Sequence, residues 1–389
     1  MSSSEHKIRV LLITRNFPPL TGGMERLMQN LSHGLAEYTE LTIVGPRGCA
    51  EYTPKNVQVR ETPSSLLPFL ILSLWNSVRA SSNQKFDLII GGSGLVAPTL
   101  LILRGIFGCR TMIYVHGLDL VVNSCVYKRV FLTCLRRLDT IVANSSNTRK
   151  LALERGVPAN RIAVVNPGTS LPDALDVATQ HNLLSPYDIP FEKIMIFVGR
   201  MTQRKGLSRF IESSLPDILA AEPNSGLLII GDNADQALTK NGESAKVLDL
   251  VRQMQIGHRV IFMGQVSDIE LQACYASASV QIFPVVEVPG DIEGFGMVAI
   301  EAAANGTPTV AFNIGGVADA ISNSNGNLVE PGRYDHFSQA VLSYLGPIQF
   351  DSEQCIGHAK KYSWAQFNKK LAKIVLSPGE LETRLSTTP

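Results

Sequence analysis

The chain of 389 residues lacks several features that mark particular classes of protein. No apolar run approaches the ~20 residues of a membrane-spanning helix, because the longest, residues 66–75, is about half that length and contains Pro68. The net charge is only +1, whereas a nucleic-acid-binding protein would carry a clear surplus of basic residues. Charged residues make up 18% of the chain, against about 25% in a typical soluble protein. This mild deficit indicates some surface that contacts an apolar partner.

Motifs for disulfides, metals, redox cofactors and secretion are also missing. The six cysteines are scattered without a C-x-x-C pair, so we interpret them as thiols of a cytoplasmic protein and expect no metal site. The G-x-G-x-x-G fingerprint of nicotinamide and flavin enzymes is absent. Residues 1–7 lead directly into an apolar run and lack the apolar core of a signal peptide. We therefore expect a cytoplasmic location and no bound cofactor.

Apolar runs alternate with helical patterns along most of the chain, which predicts α/β domains built on parallel sheets. In the first half, strands are predicted at residues 8–14, 41–44, 87–90, 111–116, 140–143 and 162–165. The pattern restarts in the second half, with strands predicted at residues 193–198, 226–230, 259–263, 280–283 and 308–312. The sequence therefore predicts two Rossmann-like, doubly wound domains that bind ligands at the carboxyl ends of their strands.

Composition divides the chain into five predicted segments. These are a first domain at 1–168, a linker at 169–190, a second domain at 191–360, a helix at 361–376 and a disordered tail at 377–389. The linker is assigned because its three prolines and weak periodicity break the α/β pattern. The predicted terminal helix is amphipathic, and its apolar side comprises Trp364, Phe367, Leu371 and Ile374.

Two carboxylates eight positions apart, Glu293 and Glu301, flank the predicted start of a helix at Met297. Eight helical residues span roughly 12 Å, comparable to the separation of a ribose from a sugar joined to it by a diphosphate. Free amides at a helix start, with Gly294 and Gly296 allowing close approach, suit the phosphates between them. A purely structural reading also stands, because the helix dipole favours a glutamate at this end in any protein.

Three further clusters lie at predicted strand ends. Arg200 and Lys205 follow the first strand of the second half and could both reach a diphosphate, or they could simply be solvated cations. Gly22 and Gly23 would let backbone amides approach a phosphate or an acceptor, although such a turn often uses glycine for conformation alone. His116, at the end of an apolar strand, could hydrogen-bond a sugar hydroxyl or serve only the local structure.

Taken together, these motifs resemble those of the retaining glycosyltransferase family 4, whose fold is GT-B. Four motifs occur here in the family's order. They are Gly22-Gly23, His116-Gly117, the basic loop from Gly199 to Gly206, and the pattern Glu293-x7-Glu301 with its intervening glycines. The resemblance extends from residue 7 to about residue 375. It implies two Rossmann-like domains that face a central cleft, with the acceptor bound by the first domain and the donor by the second. It also implies that the terminal helix crosses back to the first domain.

The resemblance further implies metal-independent transfer of a hexose from GDP-mannose or a UDP-sugar, with retained configuration and front-face attack. Arg200 and Lys205 would hold the diphosphate, Glu301 the ribose and Glu293 a sugar hydroxyl, while His116 would orient the sugar. Backbone contacts to the donor or acceptor are implied for eight further residues, Gly22, Gly23, Gly264, Val266, Gly294, Phe295, Gly296 and Met297.

The loop before the helix departs from the family's usual pattern. Many members carry a serine-containing E-S-F-G loop, whereas residues 287–296 are longer, acidic and rich in glycine. This version resembles bacterial mannosyltransferases that act on inositol phospholipids, and several O-antigen or exopolysaccharide enzymes. The resemblance therefore favours a glycan or glycolipid acceptor, as in lipopolysaccharide or glycolipid synthesis.

Two stretches of the first half could lay that domain on the inner face of the cytoplasmic membrane. Residues 66–78 are apolar and include Trp75, and residues 127–137 combine two basic pairs with apolar residues at helical spacing. An equally open reading is that both are helices packed in the core with basic ends.

Two other functional classes remain open. An epimerase or hydrolase of a nucleotide sugar would share the fold and turn over the donor without an acceptor. A non-catalytic nucleotide-sugar-binding protein would also share the fold, but it would have lost motif residues that are present here.

Overall fold

The computed structural model describes residues 7–231, 242–347 and 350–376. The chain forms two compact units. The first contains Met1–Gly168 and the segment that begins at Trp364, and the second contains Thr169–Ser363. The tail predicted to be disordered, 377–389, lies outside the described residues.

The first unit is built on a seven-stranded parallel sheet with strand order β3-β2-β1-β4-β5-β6-β7. Its strands are β1 (Arg9–Ile13), β2 (Glu40–Pro46), β3 (Gln58–Thr62), β4 (Leu88–Gly91), β5 (Arg110–Val115), β6 (Thr140–Ala143) and β7 (Ile162–Val164). Its helices up to β7 are α1 (Gly23–Tyr38), α2 (Leu66–Asn83), α3 (Ala97–Phe107), α4 (Leu118–Val121), α5 (Cys125–Leu135) and α6 (Ser146–Glu154). Because the strand order reverses after β1, right-handed crossovers place α1 on one face of the sheet and α2, α3 and α5 on the other.

The second unit is built on a six-stranded parallel sheet with strand order β10-β9-β8-β11-β12-β13. Its strands are β8 (Lys193–Val198), β9 (Ser225–Ile230), β10 (Val260–Gly264), β11 (Val280–Phe283), β12 (Thr309–Phe312) and β13 (Gly326–Val329). Its helices are α7 (Val177–Leu184), α8 (Leu207–Ser213), α9 (Leu215–Ala221), α10 (Glu243–Gln253), α11 (Asp268–Ser277), α12 (Met297–Ala304), α13 (Val317–Ala320), α14 (Tyr334–Leu345) and α15 (Ser352–Lys360).

The predicted fold class, two doubly wound parallel sheets, is confirmed. Sequence reasoning missed two strands, β3 and β13, and both lie at an edge of their sheet. A strand at an edge is only partly buried, so it need not show the continuous apolar run of a central parallel strand. Four of the five residues of β3 are polar, and β13 begins with Gly326 and Asn327.

Residues 169–190 are more ordered than the linker expected from the sequence. They contain α7, whose first turn is capped by Asp176, where Oδ1 accepts a hydrogen bond of 2.8 Å from the Thr179 amide. Side chains of α11 bind this segment, since Gln272 Nε2 donates to the Asp173 carbonyl at 2.6 Å. The weak sequence signal has a physical reason, because α7 is short and none of its residues is fully buried.

The terminal helix, α16 (Trp364–Val375), belongs to the first unit, as the resemblance implied. Phe367 and Leu371 are buried in the core that α1 shares with the sheet. Close packing against α1 requires Gly34, because a Cβ there would collide with the Asn368 side chain. Within the described part of the chain, no helix combines the length and the apolar character needed to cross a bilayer.

His358, in α15, is a buried ionisable side chain of the second unit. The ring is buried, with Nε2 donating to the Ala320 carbonyl at 3.1 Å and Nδ1 3.1 Å from the Ser322 hydroxyl. Burial lowers the pKa of His358 below its ordinary value, although the bond to Ala320 opposes the shift. The neutral ring is therefore the form that stabilises the fold.

We predict that this stabilisation is complete above about pH 6.5 and is lost as the pH falls below that value. Thermal melts between about pH 8 and 5 should show a smaller loss of stability for His358→Gln than for the wild type. His336→Gln, at an exposed histidine, is the matched control and should behave as the wild type. Equal losses in wild type and His358→Gln would assign the pH dependence to other groups.

Candidate functional site

Three glycines lie at the carboxyl ends of neighbouring strands in the second unit. Gly199 follows β8, Gly231 follows β9 and Gly264 ends β10, and all three have a positive φ. The Gly231 amide donates to the Gly264 carbonyl at 2.9 Å, and a Cβ on Gly231 would collide with the Gly199 carbonyl oxygen. This edge of the sheet is therefore formed by bare backbone, which lets a ligand approach main-chain groups closely.

The basic loop after β8 is held against the end of β11. It ends at Gly206, whose φ of 69° favours glycine and where a Cβ would collide with the Pro284 carbonyl oxygen. The Val286 amide donates to the Arg204 carbonyl at 2.9 Å. As a result Lys205 lies over the Phe283 ring, with Nζ 4.6 Å from the ring centroid.

Four charged side chains meet where this loop approaches the segment before α12. The Glu293 carboxylate accepts from Lys205 Nζ at 2.9 Å and also from Arg204 Nη1. Arg204 Nε lies 3.0 Å from Asp291 Oδ1, so the guanidinium contacts both carboxylates. The side chains of Glu293 and Lys205 are only 13% and 12% exposed. We call Arg204, Lys205, Asp291 and Glu293 the charged cluster.

The pKa shifts in the cluster follow from burial and from its two cations. Burial alone would raise the pKa of the Glu293 carboxyl, but Lys205 and Arg204 outweigh it and hold that pKa below its ordinary value. Burial lowers the pKa of the Lys205 ammonium, and Arg204 adds to this effect while Glu293 opposes it. Glu293 is therefore an anion at neutral pH, and its lowered pKa does not mark it as a proton donor.

The structure unites some of the residues singled out in the sequence and adds others. Lys205 and Glu293, 88 positions apart, are in direct contact. Arg200 lies exposed in the same loop and contributes to lowering the Lys205 pKa. Sequence reasoning missed Arg204 and Asp291. The sequence does show that Arg204 is adjacent to Lys205 and that Asp291 precedes Glu293. It does not show which of the two neighbouring cations would pair with Glu293.

The start of α12 follows directly from the charged cluster. Gly296, with φ 91°, is the residue before the helix, and a Cβ there would lie 2.9 Å from the Phe283 ring. Phe295 is buried, with its ring centroid 5.7 Å from that of Tyr362. The helix begins at Met297, as predicted, so Glu301 is its fifth residue. Only the part of the stretch from Met297 onward is helical. The separation of Glu293 and Glu301 therefore cannot be taken from eight helical residues, as the sequence suggested.

Two of the remaining predicted contacts of the second unit, Gly264 and Val266, lie at the end of β10 and in the turn after it. Gly264 has φ 68° and its carbonyl is used by Gly231, while Val266 is half-buried beside the core that contains Met263. Gly294 lies between Glu293 and Phe295, and the Glu293 carbonyl accepts from the Gly316 amide at 2.9 Å. The segment that leads into α12 is thus anchored on both sides.

In the first unit, His116 lies at the end of β5 with its ring already engaged. Nε2 donates to the Gly92 carbonyl at 2.8 Å, and the His116 amide donates to Asp119 Oδ2 at 2.9 Å. With Nε2 carrying the proton, Nδ1 of the neutral ring is an acceptor. The histidine is therefore suited to receive a hydrogen bond from a hydroxyl.

Gly22 and Gly23 lie at the start of α1, with a carboxylate beside them. Gly22 has φ 154°, and a Cβ there would collide with Oε2 of Glu25. Glu25 is buried and accepts from Asn16 Nδ2 at 2.9 Å. A carboxylate therefore already lies beside the backbone at this helix start.

A metal site was not expected from the sequence. Among residues 7–231, 242–347 and 350–376, no group of three or more His, Cys, Asp or Glu side chains is arranged to hold a metal ion.

Comparison with solved structures identifies the fold as GT-B. The structure of Anabaena HepE in complex with UDP matches with a TM-score of 0.77 at 17% identity, and the match covers 95% of this chain and 99% of that one. The GT-B fold consists of two Rossmann-like parallel-sheet domains, and in this chain their sheets have seven and six strands.

Family models match both units. Residues 21–171 match "Glycosyltransferase Family 4" and residues 188–346 match "Glycosyl transferases group 1", together about four-fifths of the chain. The two matches together support a GT-B glycosyltransferase of family 4.

Two curated relatives align along most of the chain. A D-inositol 3-phosphate glycosyltransferase of Corynebacterium urealyticum is 28% identical over 343 residues, which is 80% of this chain and 77% of that protein. The GDP-mannose-dependent alpha-(1-6)-phosphatidylinositol monomannoside mannosyltransferase of Mycolicibacterium smegmatis is 25% identical over 355 residues, 86% of this chain and 89% of that protein. Against several other curated relatives the chain spans only about half of their length, 44% to 55%.

The loop that carries Lys205 depends on glycine at position 206. We predict that Gly206→Ala destabilises the protein by about 2 kcal/mol or more, because left-handed strain adds to a backbone collision. Gly332→Ala is the matched control, since its φ is 80° but a Cβ there would meet open space. Urea unfolding should show a clearly larger loss for Gly206→Ala. Equal losses would mean that the contact with Pro284 does not hold the loop.

Proposed function

We propose that the protein is a retaining, metal-independent hexosyltransferase. It takes a sugar from a nucleotide diphosphate donor, GDP-mannose or a UDP-sugar, and transfers it to a hydroxyl of a glycan or glycolipid. The observation that carries this proposal is the charged cluster, in which Glu293 holds Lys205 and Arg204 immediately before the start of α12.

The cations and the helix start suit a diphosphate leaving group. The first amides of a helix lack the usual intrahelical acceptors, and a phosphate is favoured at that end. Lys205, with Arg200 in the same loop, would stabilise the negative charge that develops on the diphosphate as its bond to the sugar breaks. In this way the side chains supply charge stabilisation that a divalent ion supplies in other transferases.

The ion pair itself gives Glu293 a second role. When a diphosphate shares Lys205, the Glu293 carboxylate gains the capacity to accept a hydrogen bond from a hydroxyl of the donor sugar. Glu301, in the second turn of α12, would accept both ribose hydroxyls. The two glutamates would then bind the two ends of the donor. The turn from Gly264 to Val266 would contact the base through its backbone.

Retention follows if the acceptor attacks from the side that the diphosphate leaves. The bond between the acceptor oxygen and the anomeric carbon forms as the bond from that carbon to the phosphate oxygen breaks. A phosphate oxygen takes the acceptor proton, so no side chain has to act as a nucleophile or base. His116, with Nε2 committed to Gly92, would orient the sugar by accepting at Nδ1.

The names of the aligned relatives support a polyol or lipid acceptor. One is described as acting on D-inositol 3-phosphate and another on phosphatidylinositol monomannoside with GDP-mannose. By analogy, we propose that this chain acts on a glycan or glycolipid acceptor. We also propose that it contacts the anionic inner face of the cytoplasmic membrane peripherally. The carboxylate of Glu25 beside Gly22 is compatible with an acceptor rich in hydroxyls.

The site residues are tested by alanine variants. We predict that Lys205→Ala, Glu293→Ala and Arg200→Ala each lower acceptor-dependent release of nucleoside diphosphate by at least about 100-fold, as expected for lost charge stabilisation. Lys193→Ala is the control, since Lys193 pairs with Glu222 at the opposite end of β8. Thermal melts should show that the variants stay folded.

Near-normal rates in two of the three variants would overturn the site assignment. Donor turnover at the same rate without any acceptor would indicate the epimerase or hydrolase instead. Donor binding without turnover over a broad acceptor screen would indicate a binding protein.

The donor base is tested by ligand-dependent stability. We predict that either GDP or UDP raises the melting temperature more than the other nucleoside diphosphates, with no requirement for a divalent ion. At a hundred times the dissociation constant the stabilisation is about 2.7 kcal/mol. Lys205→Ala should lose most of the shift, and an unchanged shift would remove Lys205 from the diphosphate site.

A further inference from the structure

Helix α2 exposes a row of large apolar side chains to solvent. Leu67, Ile71 and Trp75 are 70%, 68% and 65% exposed. Residues four apart in a helix lie on one side, so the three side chains form a continuous stripe. The opposite side of the helix is buried in the core through Phe69 and Ala80. The helix is thus apolar on the side that faces water as well as on the side that faces the sheet.

The two helices beside α2 repeat this arrangement. In α3 the exposed side chains are Ile102 and Ile106, and in α5 they are Val126 and Val130. The buried sides of α2, α3 and α5 share one core on the same face of the sheet, so their outward sides form one layer. We call this layer the apolar face, and its members are Leu67, Ile71, Trp75, Ile102, Ile106, Val126 and Val130.

The concentration of these side chains indicates a binding surface. Of the fifteen large apolar side chains exposed in the described residues, nine lie in these three helices. In the second unit the exposed ones are few and belong to separate elements, such as Val177, Ile269 and Leu328. Single exposed apolar residues are ordinary, whereas a contiguous group marks a site for a protein or membrane partner.

Charge identifies the partner. The three helices contain no Asp or Glu, although the whole chain has 34 acidic residues against 35 basic ones. Four cations at α5 and just after it are exposed, Lys128, Arg129, Arg136 and Arg137. Arg104 of α3 is different, since Asp139 pairs with it at 3.0 Å. A protein surface that is apolar and basic and has no acidic side chains complements a partner surface that is apolar and anionic.

We propose that the apolar face docks on an anionic lipid bilayer. Leu67, Ile71 and Trp75 enter the boundary between head groups and acyl chains, where a tryptophan ring is favoured. The four exposed cations of the α5 region contact lipid phosphates. The proposal deepens the membrane contact of the proposed function by naming its surface, and it includes α3, which the sequence did not single out.

The test is flotation with vesicles of phosphatidylcholine, either pure or with about one third phosphatidylglycerol. Wild-type protein should float with the anionic vesicles and much less with the neutral ones. The variant Leu67→Gln/Ile71→Gln/Trp75→Gln should float at least about tenfold less. The variant Lys128→Glu/Arg129→Glu/Arg136→Glu/Arg137→Glu should lose the preference for anionic lipid, as should the wild type at high salt.

The second unit provides a matched control. Val177→Gln/Ile269→Gln/Leu328→Gln removes three exposed apolar side chains outside the apolar face and should float as the wild type. Equal flotation of the α2 variant and this control would overturn the proposal. A concentration-dependent dimer that the α2 variant abolishes, without vesicle binding by the wild type, would assign the face to a second copy of the chain and overturn it as well.

Tryptophan fluorescence gives a readout at one residue. The chain has two tryptophans, so Trp364→Phe leaves Trp75 as the single reporter. Anionic vesicles should shift its emission to shorter wavelength, and brominated lipids should quench it. An unchanged spectrum in the presence of vesicles that bind the protein would overturn the assignment of α2.

Failure of this proposal is separable from failure of the proposed function. Because the charged cluster belongs to the other unit, the α2 variant should bind nucleoside diphosphate as the wild type does. Vesicle binding without nucleotide binding would retain the apolar face and reject the transferase. Nucleotide binding without vesicle binding would retain the proposed transferase and reject the apolar face as a membrane-binding surface.

Discussion

The ion pair between Glu293 and Lys205 is the interaction on which the rest of the site depends. A buried ammonium or carboxylate on its own is strongly disfavoured, so each side chain requires the other. Their contact also joins two separate loop segments, one after β8 and one before α12. Gly206 permits the approach from one side, and Gly296 permits the helix to start at once on the other. Arg204 then extends the pair to Asp291.

In the proposed function, a paired charge near a helix start would let the same residues bind and release a diphosphate. The cations are held by carboxylates before a ligand arrives, so they are positioned without a large conformational search. In this proposal, an incoming diphosphate would share these cations with Glu293 rather than recruit new ones. The resulting proposal assigns the two glutamates to hydrogen bonds with the donor and leaves the proton transfer to the phosphate itself.

Much of this could be predicted from the sequence, because repeated local patterns determine it. Central parallel strands are continuous apolar runs, and the start of α12 at Met297 is marked by glycines. What escaped were features set by tertiary contact. The choice of Arg204 as a partner of Glu293, the partly exposed edge strand β3 and the carboxylate of Glu25 beside Gly22 leave no periodic signal. Outward apolar side chains of α3 also read as ordinary core residues until the neighbouring helices are in place.

The most direct test of the central claim is a crystal structure with the nucleoside diphosphate that binds most tightly. The account predicts Lys205 Nζ and the Arg200 guanidinium within about 3 Å of phosphate oxygens, with the phosphates at the start of α12 and Glu293 still contacting the loop cations. A diphosphate bound elsewhere, with Lys205 still paired only to Glu293, would contradict it.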